Sequence, residues 1–594
     1  MTEDSKPWIV HQVFGPPGTG KTRYLTMKVR EIVRAYGPDS VVITSFTVTG
    51  AQEIASRGLG LPARSVGTLH SLAFRAIGHD SSVALDPEIL KDWNDSVGRE
   101  WRITADTRRG KPQAATEGGA TNTDATTASS GDELLASLDR ARSTFIDPSD
   151  YVPELKAFAE SWEKWKNDVG AVDFTDMIVM AWEQAKEGEA APGNPRVLVV
   201  DEGQDMTPLE TELALEWGKH AQSLVIALDD DQAIMEWRGG DPRKMLELGN
   251  GDGFTVDRHV LGKSYRIPRA VHAPAEQWVR RLSLRHDKQY LPRTRFEPVF
   301  TDTGEPQFDE DGEQEQRDTG EIIEGAAWCV AESLESLALI DKIEHEVESG
   351  RSVMVIATCA YMLEPVLKGL RAAGMPFYNP YRPAEARWNP LGRRSGTSTA
   401  SRVLAYMTSH ESLGDDGRLW TGNDIRAWIE LVRAKDSGLR RGAKTSADAL
   451  PDGEVPWEQV ADLFDSEEAL NRAVSPDLEW LASNIVPSKE RQTAYPLQVC
   501  RKRGPKALLY KPSVTIGTIH SVKGGSSDVV YLAPDVSGAG MAQIQGDVNG
   551  RDQAIRQFYV GMTRAYEELR LMAPFSRNFV KRRDLIPSHM EVPA

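Results

Sequence analysis

Residues 11–25 read HQVFGPPGTGKTRYL, an apolar strand running into a glycine-rich turn and then into a helix-forming stretch. Gly15, Gly20, Lys21 and Thr22 satisfy the spacing GxxxxGK[ST], with Ile9, Val10, Val13 and Phe14 as the apolar strand ahead of it. Glycines let backbone N–H groups approach phosphate oxygens closely, so Gly15, Pro16, Pro17, Gly18, Thr19 and Gly20 read as the cradle, with Arg23 just past it. Lys21 supplies a point charge for the outer phosphates, and the Thr22 hydroxyl offers a ligand for Mg²⁺. A glycine-rich turn with no ligand is the bland alternative, and the strand before the loop weighs against it. The stretch therefore predicts a nucleoside triphosphate site with Mg²⁺ on an α/β fold.

Such a site needs a carboxylate at the tip of a neighbouring strand. Residues 196–205, RVLVVDEGQD, provide it: Val197 to Val200 form an apolar run from which Asp201 and Glu202 emerge. Asp201 is suited to hold the metal and Glu202 to orient and deprotonate an attacking water. The runs VVITSF (41–46), SLVIALD (223–229) and SVMVIAT (352–358) have the same character, each followed by a helix-forming stretch. That alternation predicts parallel sheets of α/β type.

A chain of 594 residues implies about three or four domains. The balance of 40% hydrophobic and 27% charged residues is globular, and no apolar run reaches the length of a membrane span. The opening MTEDSKPW is acidic and polar where a secretory signal is basic and then apolar, so a cytoplasmic protein is expected. Cys329, Cys359 and Cys500 are widely spaced, which excludes a disulfide framework and argues against a zinc site. A net charge of −18 opposes non-specific coating of nucleic acid by the whole molecule. Arg501, Lys502, Arg503, Lys506 and Lys511 form a local basic cluster that reads equally as a solvated face. Residues 105–132, rich in Gly, Ala, Ser and Thr, predict a flexible loop, and the acidic run 302–321 an exposed insertion.

The DEGQD block resembles the DExQD form of the UvrD/Rep/PcrA-like DNA helicases of superfamily 1. Seven other stretches follow in that family's order: GPPGTGKT (15–22), TSFTVTGAQEI (44–54), VGTLHSLAF (66–74), DFTDMI (173–178), LDDDQAIMEWRGGDP (228–242), LGKSYRIP (261–268) and TIHSVKGGSSDVV (518–530). A final stretch, FYVGMTRAYEEL (558–569), closes the series. The resemblance implies two RecA-like parallel-sheet P-loop domains with inserted, mainly helical accessory domains. On this reading residues 1–75 with 165–270 form the first RecA-like domain, and 76–164 its insertion. Residues 271–385 with 510–594 form the second, and 386–509 its insertion. In the latter, Ile425, Trp428, Ile429 and Val432 share one helical face that reads as core.

The same resemblance implies residue roles. Arg266 and Arg564 match the arginines that reach the terminal phosphate, Gln232 the glutamine that senses it, and Tyr265 the aromatic that stacks on adenine. Lys523 and Gly524 belong to the nucleotide side of their block. Trp237 matches the chief platform for bases, Phe46 a second aromatic, and Arg238 a link from that platform to the nucleotide site. Thr68, His70, Thr518 and His520 are expected at strand phosphates or sugar, although a lone histidine is often structural. Single-stranded DNA and duplex junctions are the implied partners, ATP and Mg²⁺ the implied cofactors, and 3′ to 5′ movement the implied polarity.

Four departures stand out. Only fourteen residues precede Gly15, so the upstream glutamine segment that reads adenine is expected to be missing or replaced. Met235 stands where the family carries an aromatic, and Gly525, Ser526 and Ser527 replace a glutamate-bearing run. Both accessory insertions look short. A DNA-stimulated ATPase that remodels protein–DNA complexes without separating strands is therefore the alternative enzyme, and a scaffold with a relic site the alternative without chemistry.

Overall fold

The computed structural model describes residues 8–45, 50–51, 54, 57–78, 82–83, 86–98, 101–106, 111–112, 130–249, 254–301, 305–308, 314–380, 382, 387–392, 398–409, 420–474 and 478–593. Phe46 and most of the expected loop 105–132 lie outside the described residues. The chain divides into two compact units, residues 1–328 with 536–569 and 578–594, and residues 329–535 with 570–577.

The first unit is built on a six-stranded sheet. Its strands are β1 (Ile9–Phe14), β2 (Val41–Ser45), β3 (Val66–Thr68), β4 (Val197–Asp201), β5 (Ser223–Leu228) and β6 (Thr255–Val260). They lie in the order β6-β1-β5-β4-β2-β3, all parallel. Every residue of β2 and β4 is buried, as expected for central parallel strands covered on both faces, and this is why their sequences are continuous apolar runs. Helices α1 (Lys21–Tyr36), α2 (Leu69–Ala76), α3 (Ser130–Ser143), α4 (Pro153–Val169), α5 (Phe174–Lys186), α6 (Pro208–His220) and α7 (Arg269–Val279) follow in the same unit.

The insertion within this unit has its own apolar core of Trp93, Leu135, Leu138, Phe158, Trp162 and Trp165. Trp93 and Trp162 meet edge to face with centroids 5.0 Å apart, a favoured aromatic geometry. Next to this core lies a buried charge cluster. Lys166 on α4, 2% exposed, donates to Asp173 at 2.7 Å and to Glu163 at 3.0 Å, while Arg142 on α3 pairs with Asp173 at 3.1 Å and also with Asp176. Three carboxylates converge here, and two cations of the chain itself neutralise them. Because Asp173 caps α5 through a capping box with Asp176, the cluster pins the insertion to the helix leading into β4.

Asp139 sits beside this cluster and receives a bond from Thr175 Oγ1 at 2.9 Å. Burial, reinforced by the neighbouring Asp173 charge, pushes its carboxyl up to about 7. Between the ordinary 3.8 and about 7 the folded chain holds a proton that the unfolded chain releases. The stabilising contribution of Asp139 is thus complete below that window and lost as pH rises through it. Asp139→Asn keeps the acceptor for Thr175 and removes the ionisation. At pH 8 it is expected to melt about 2–4 °C above the parent and to match it near pH 4 in calorimetry; equal melting at both values would contradict this reading.

Of the acidic run 302–321, the described residues are exposed as expected apart from the half-buried Gln314, and they are not wholly irregular. Strand β7 (Thr294–Pro298) pairs antiparallel with β8 (Gln316–Ile322), and every residue of β8 is exposed. Residues 302–304 and 309–313 lie outside the described residues.

In the second unit, strands β9 (Val353–Ala357), β10 (Phe377–Tyr378), β11 (Val514–Thr518) and β12 (Ser527–Leu532) run parallel in the order β12-β9-β11-β10. Its helical part packs Tyr406, Trp420, Trp428 and Trp480 together, with Trp420 and Trp428 centroids 4.8 Å apart. Ile425, Trp428 and Ile429 are buried on one helix, Gly422–Ile429, as their spacing indicates, whereas Val432, also buried, lies past the helix end and bridges to Ile485. Within the basic cluster Arg501 pairs with Glu479 and Arg503 with Glu344, the behaviour of a neutralised surface. The chain then returns to the first unit with helix α8 (Val548–Met562). No helix among the described residues is long and apolar enough to cross a membrane.

Candidate functional site

Strand β1 ends at Phe14, and the loop that follows is anchored at once by a bond from Gly15 N to Leu228 O of 3.0 Å. A side chain at Gly15 would place its Cβ 2.3 Å from Lys21 Cγ, and one at Gly18 would lie 2.4 Å from Arg266 Cβ. Gly18 and Gly20 also hold φ of +74° and +77°, the left-handed region that favours glycine. The cradle is therefore shaped by absent side chains, as backbone recognition of phosphate requires. Thr19 Oγ1 donates to Pro16 O at 2.8 Å and Lys21 Nζ to Gly15 O at 2.7 Å. Thr22 is half-buried and Arg23 exposed in the first turn of α1.

The segment 264–266 braces the loop from outside. Tyr265 N donates to Gly18 O at 2.7 Å, and Ser264 Oγ and Tyr290 Oη both donate to Pro17 O, at 3.0 and 2.8 Å. Arg266 and Tyr265 are thus held against the cradle. The Tyr265 ring is 47% exposed, as a stacking face must be, and the Phe296 ring of β7 lies 5.4 Å away.

Asp201 ends β4, buried, and Glu202 follows with φ of +59°. A left-handed non-glycine residue costs about 1 kcal/mol and persists only where its surroundings enforce it. Gln204, fully buried, does so: its amide donates to the Glu202 carboxylate, and its Oε1 accepts from Asp229 N at 2.8 Å. One side chain thereby orients the candidate base and joins β4 to the loop after β5. The DExQD spacing pointed to Gln204 as a family mark, but its orienting role needed the structure.

That loop brings together residues distant in sequence. Gln232 Nε2 donates to Asp229 Oδ2 at 2.5 Å, and Gln232 Oε1 accepts from Arg564 Nη2 at 2.8 Å, across a separation of 332 positions. Arg564 is 1% exposed, and its Nε donates to Val560 O at 2.8 Å, so helix α8 aims it. Arg556, within α8 and a little over two turns before Arg564, is also buried and donates to Asp230 O at 3.1 Å and to Glu236 at 2.8 Å. Beneath them Lys288 meets Asp229 at 3.4 Å, Asp231 at 3.0 Å and Asp230 more closely still, while Arg285 makes a two-pronged contact with Asp231 at 3.0 and 2.7 Å. Burial raises the Asp229 and Asp230 carboxyls despite Lys288; at Asp231 burial is outweighed by Lys288 and Arg285, which lower it. Sequence reading missed Arg285, Lys288 and Arg556. The run of three aspartates was the available signal, since such a run is buried only against cations.

The candidate strand residues divide. Trp237 lies half-buried in a short turn, Glu236–Arg238, and its indole Nε1 has no hydrogen-bond partner among the described residues. Arg238 donates to Glu210 on α6 at 2.6 Å, and His70 Nδ1 lies 3.8 Å from the same carboxylate. Thr68 caps α2 by accepting from Ser71 N at 3.2 Å. In the second unit Thr518 likewise accepts from Ser521 N at 3.2 Å. The sequence Gly-Thr-x-His-Ser thus recurs at 67–71 and 517–521 with one local geometry, and a Cβ on Gly67 or Gly517 would strike the following serine hydroxyl at 2.4 or 2.3 Å. Thr518 and His520 are buried, at 1% and 7% exposure, where Thr68 and His70 are only half-buried. Lys523 is half-buried, and Gly524 is exposed with φ of +90°.

Residues 8–251 match the family profile of the UvrD/REP helicase N-terminal domain. YjcD of Bacillus subtilis is 24% identical over 269 residues, covering 42% of this chain and 33% of that protein. The ATP-dependent DNA helicase SRS2 of Saccharomyces cerevisiae is 22% identical over 287 residues, covering 43% of this chain and 24% of its own. The ATP-dependent DNA helicase UvrD2 of Mycobacterium bovis is 25% identical over 265 residues, covering 40% and 36%. The chain thus spans roughly a quarter to a third of the length of these relatives.

Proposed function

We propose that this chain, UvrD/Rep-like over residues 8–251, is an ATP-dependent DNA helicase that moves 3′ to 5′ along single-stranded DNA and separates duplex at junctions, working in the cytoplasm. The observation that carries the reading is the contact between Arg564 and Gln232, 2.8 Å long, beside the phosphate cradle. A P-loop alone leaves the charge that develops on the transferring phosphoryl group unmatched, and a preplaced guanidinium matches it.

Backbone N–H groups of residues 15–20 and Lys21 bind and orient the phosphates of ATP. Thr22 and Asp201 are the residues that would hold Mg²⁺, which when bound neutralises phosphate oxygens. Glu202, aimed by Gln204, takes the proton of the attacking water. Gln232 reports the state of the terminal phosphate to the loop that carries Trp237, and Arg564 with Arg266 stabilises the charge that develops on it. Tyr265 stacks on the base with Arg23 at its edge, and Lys523 and Gly524 complete the nucleotide side. Trp237, with Phe46, offers faces on which any base can stack, so movement needs no sequence preference. Thr68, His70, Arg238, Thr518 and His520 serve the strand backbone.

The test is strand release from partial duplexes with a 3′ or a 5′ single-stranded tail, with ATP, and Lys21→Ala as inactive control. Release from the 3′-tailed duplex alone is expected. DNA-stimulated hydrolysis with no release from either would replace the helicase with a remodeller of protein–DNA complexes, and no hydrolysis would remove both. Trp237→Ala should lose about 1–3 kcal/mol of strand grip, roughly a 10–100-fold fall in unwinding, while DNA-independent ATP turnover stays within about threefold. Unwinding equal to the parent would refute the stacking role.

A further inference from the structure

We infer that Glu210 is a positioning residue that ties two strand-side groups, Arg238 and His70, to the segment carrying the Asp201 and Glu202 carboxylates, so that strand grip follows nucleotide state. The inference rests on the helicase reading above and names the residue that couples its two halves.

Glu210 is 4% exposed in the first turn of α6. A buried carboxylate is costly unless fully paired, and this one is. One oxygen accepts from Arg238 Nη2 at 2.6 Å and faces His70 Nδ1 at 3.8 Å; the other accepts from Thr207 N at 2.8 Å. The last bond belongs to a capping box whose return arm runs from Glu210 N to Thr207 Oγ1 at 3.2 Å. Burial alone would raise this carboxyl, but the Arg238 charge and then His70 outweigh it, and it stays ionised. The two side chains are partly exposed, at 29% and 28% for Arg238 and His70, so each reaches solvent while the buried anion fixes its direction.

Chain continuity and two further contacts join this group to the nucleotide side. Thr207 lies two residues after Asp205, which ends the DEGQD run. Asp241 N donates to Met206 O at 3.2 Å, and Gly240 packs so tightly on the same segment that a Cβ there would lie 3.0 Å from Asp205 O. The loop carrying Trp237 and Arg238 is therefore docked on residues 205–210. His70 comes from α2, after β3, whose register residue Thr68 pairs with Ser45. Glu210 is the point where β3, β4 and the loop after β5 share one charge. Any displacement of residues 202–206 shifts Glu210 and redirects Arg238 and His70 together.

A role confined to capping α6 is the alternative, and Glu210→Gln separates the two. Glutamine serves a capping box as glutamate does, so the helix end is retained while the charge is lost. With oligo(dT) as probe, Glu210→Gln is expected to raise the concentration needed for half-maximal stimulation of ATP hydrolysis by about tenfold. Its melting temperature and its affinity for a fluorescent ATP analogue should stay within error of the parent. In Glu210→Gln with Arg238→Gln the combined effect should fall short of the sum of the two single effects, since the Arg238–Glu210 contact can be lost only once and only the His70 contact is left to lose. Unchanged half-saturation, or effects of the two substitutions that add, would overturn the positioning role. A parent protein that hydrolyses ATP without any response to oligo(dT) would instead overturn the helicase reading, and the coupling role with it.

Discussion

Arg564→Ala is expected to lower ATP turnover by roughly 10³–10⁵-fold while nucleotide binding remains measurable. The guanidinium is buried, aimed by its own helix through Val560 O, and already hydrogen-bonded to Gln232. Its electrostatic contribution is therefore preorganised, which is where such groups act most strongly on a transition state rather than on the bound ground state. Arg564→Lys should also fail by at least about 100-fold, because an ammonium cannot make the planar, forked contact in the same place. Steady-state phosphate release with and without oligo(dT), beside titration of a fluorescent nucleotide, checks both. Turnover within about tenfold of the parent in Arg564→Ala would leave Arg266 as the sole arginine of the step.

Lys288→Ala should be the most destabilising single substitution among those discussed, by about 3–5 kcal/mol. Lys288 is fully buried, and Asp229, Asp230 and Asp231 all face it. The attraction of three carboxylates overcomes the burial penalty and holds its ammonium protonated well above the usual lysine range. Removing it takes away the cation that faces all three carboxylates, so the burial that already raises Asp229 and Asp230 acts with less opposition. Since Asp229 also holds the Gln232 amide at 2.5 Å, turnover should fall with stability. Urea unfolding of the parent and of Lys288→Met, which keeps the volume of the stem, separates charge from cavity. A loss below about 1 kcal/mol in both would mean that water or relaxation satisfies the aspartates.

How much of this was legible in the sequence follows from range. The cradle, the β4 carboxylates and the parallel sheets are local patterns, fixed by glycine spacing and by apolar runs, and they appear where the residues indicate. Arg564 and Gln232 were both marked, but only through resemblance; that they touch is a fact of three dimensions that no spacing of 332 positions conveys. The charged clusters escaped for a different reason. Lys166, Lys288 and Glu210 look like surface residues by type, and their burial depends on partners supplied by other elements. Glu210 in particular sits in a capping-box pattern, so the sequence accounts for it without reference to Arg238 or His70. The described part of the acidic run 302–321 was legible as largely exposed, yet the pairing of 316–322 with 294–298 was hidden by charge, because an exposed strand has no apolar alternation to announce it.

The most direct test is a crystal structure of the protein with Mg²⁺, ADP and aluminium fluoride, a mimic of the transferring phosphoryl group, together with oligo(dT). The account expects the Arg564 guanidinium within about 3 Å of the fluoride that replaces the terminal phosphate, still beside Gln232, with a base stacked on Trp237. A guanidinium turned away from the cradle in that complex, or bases lying clear of Trp237, would contradict it.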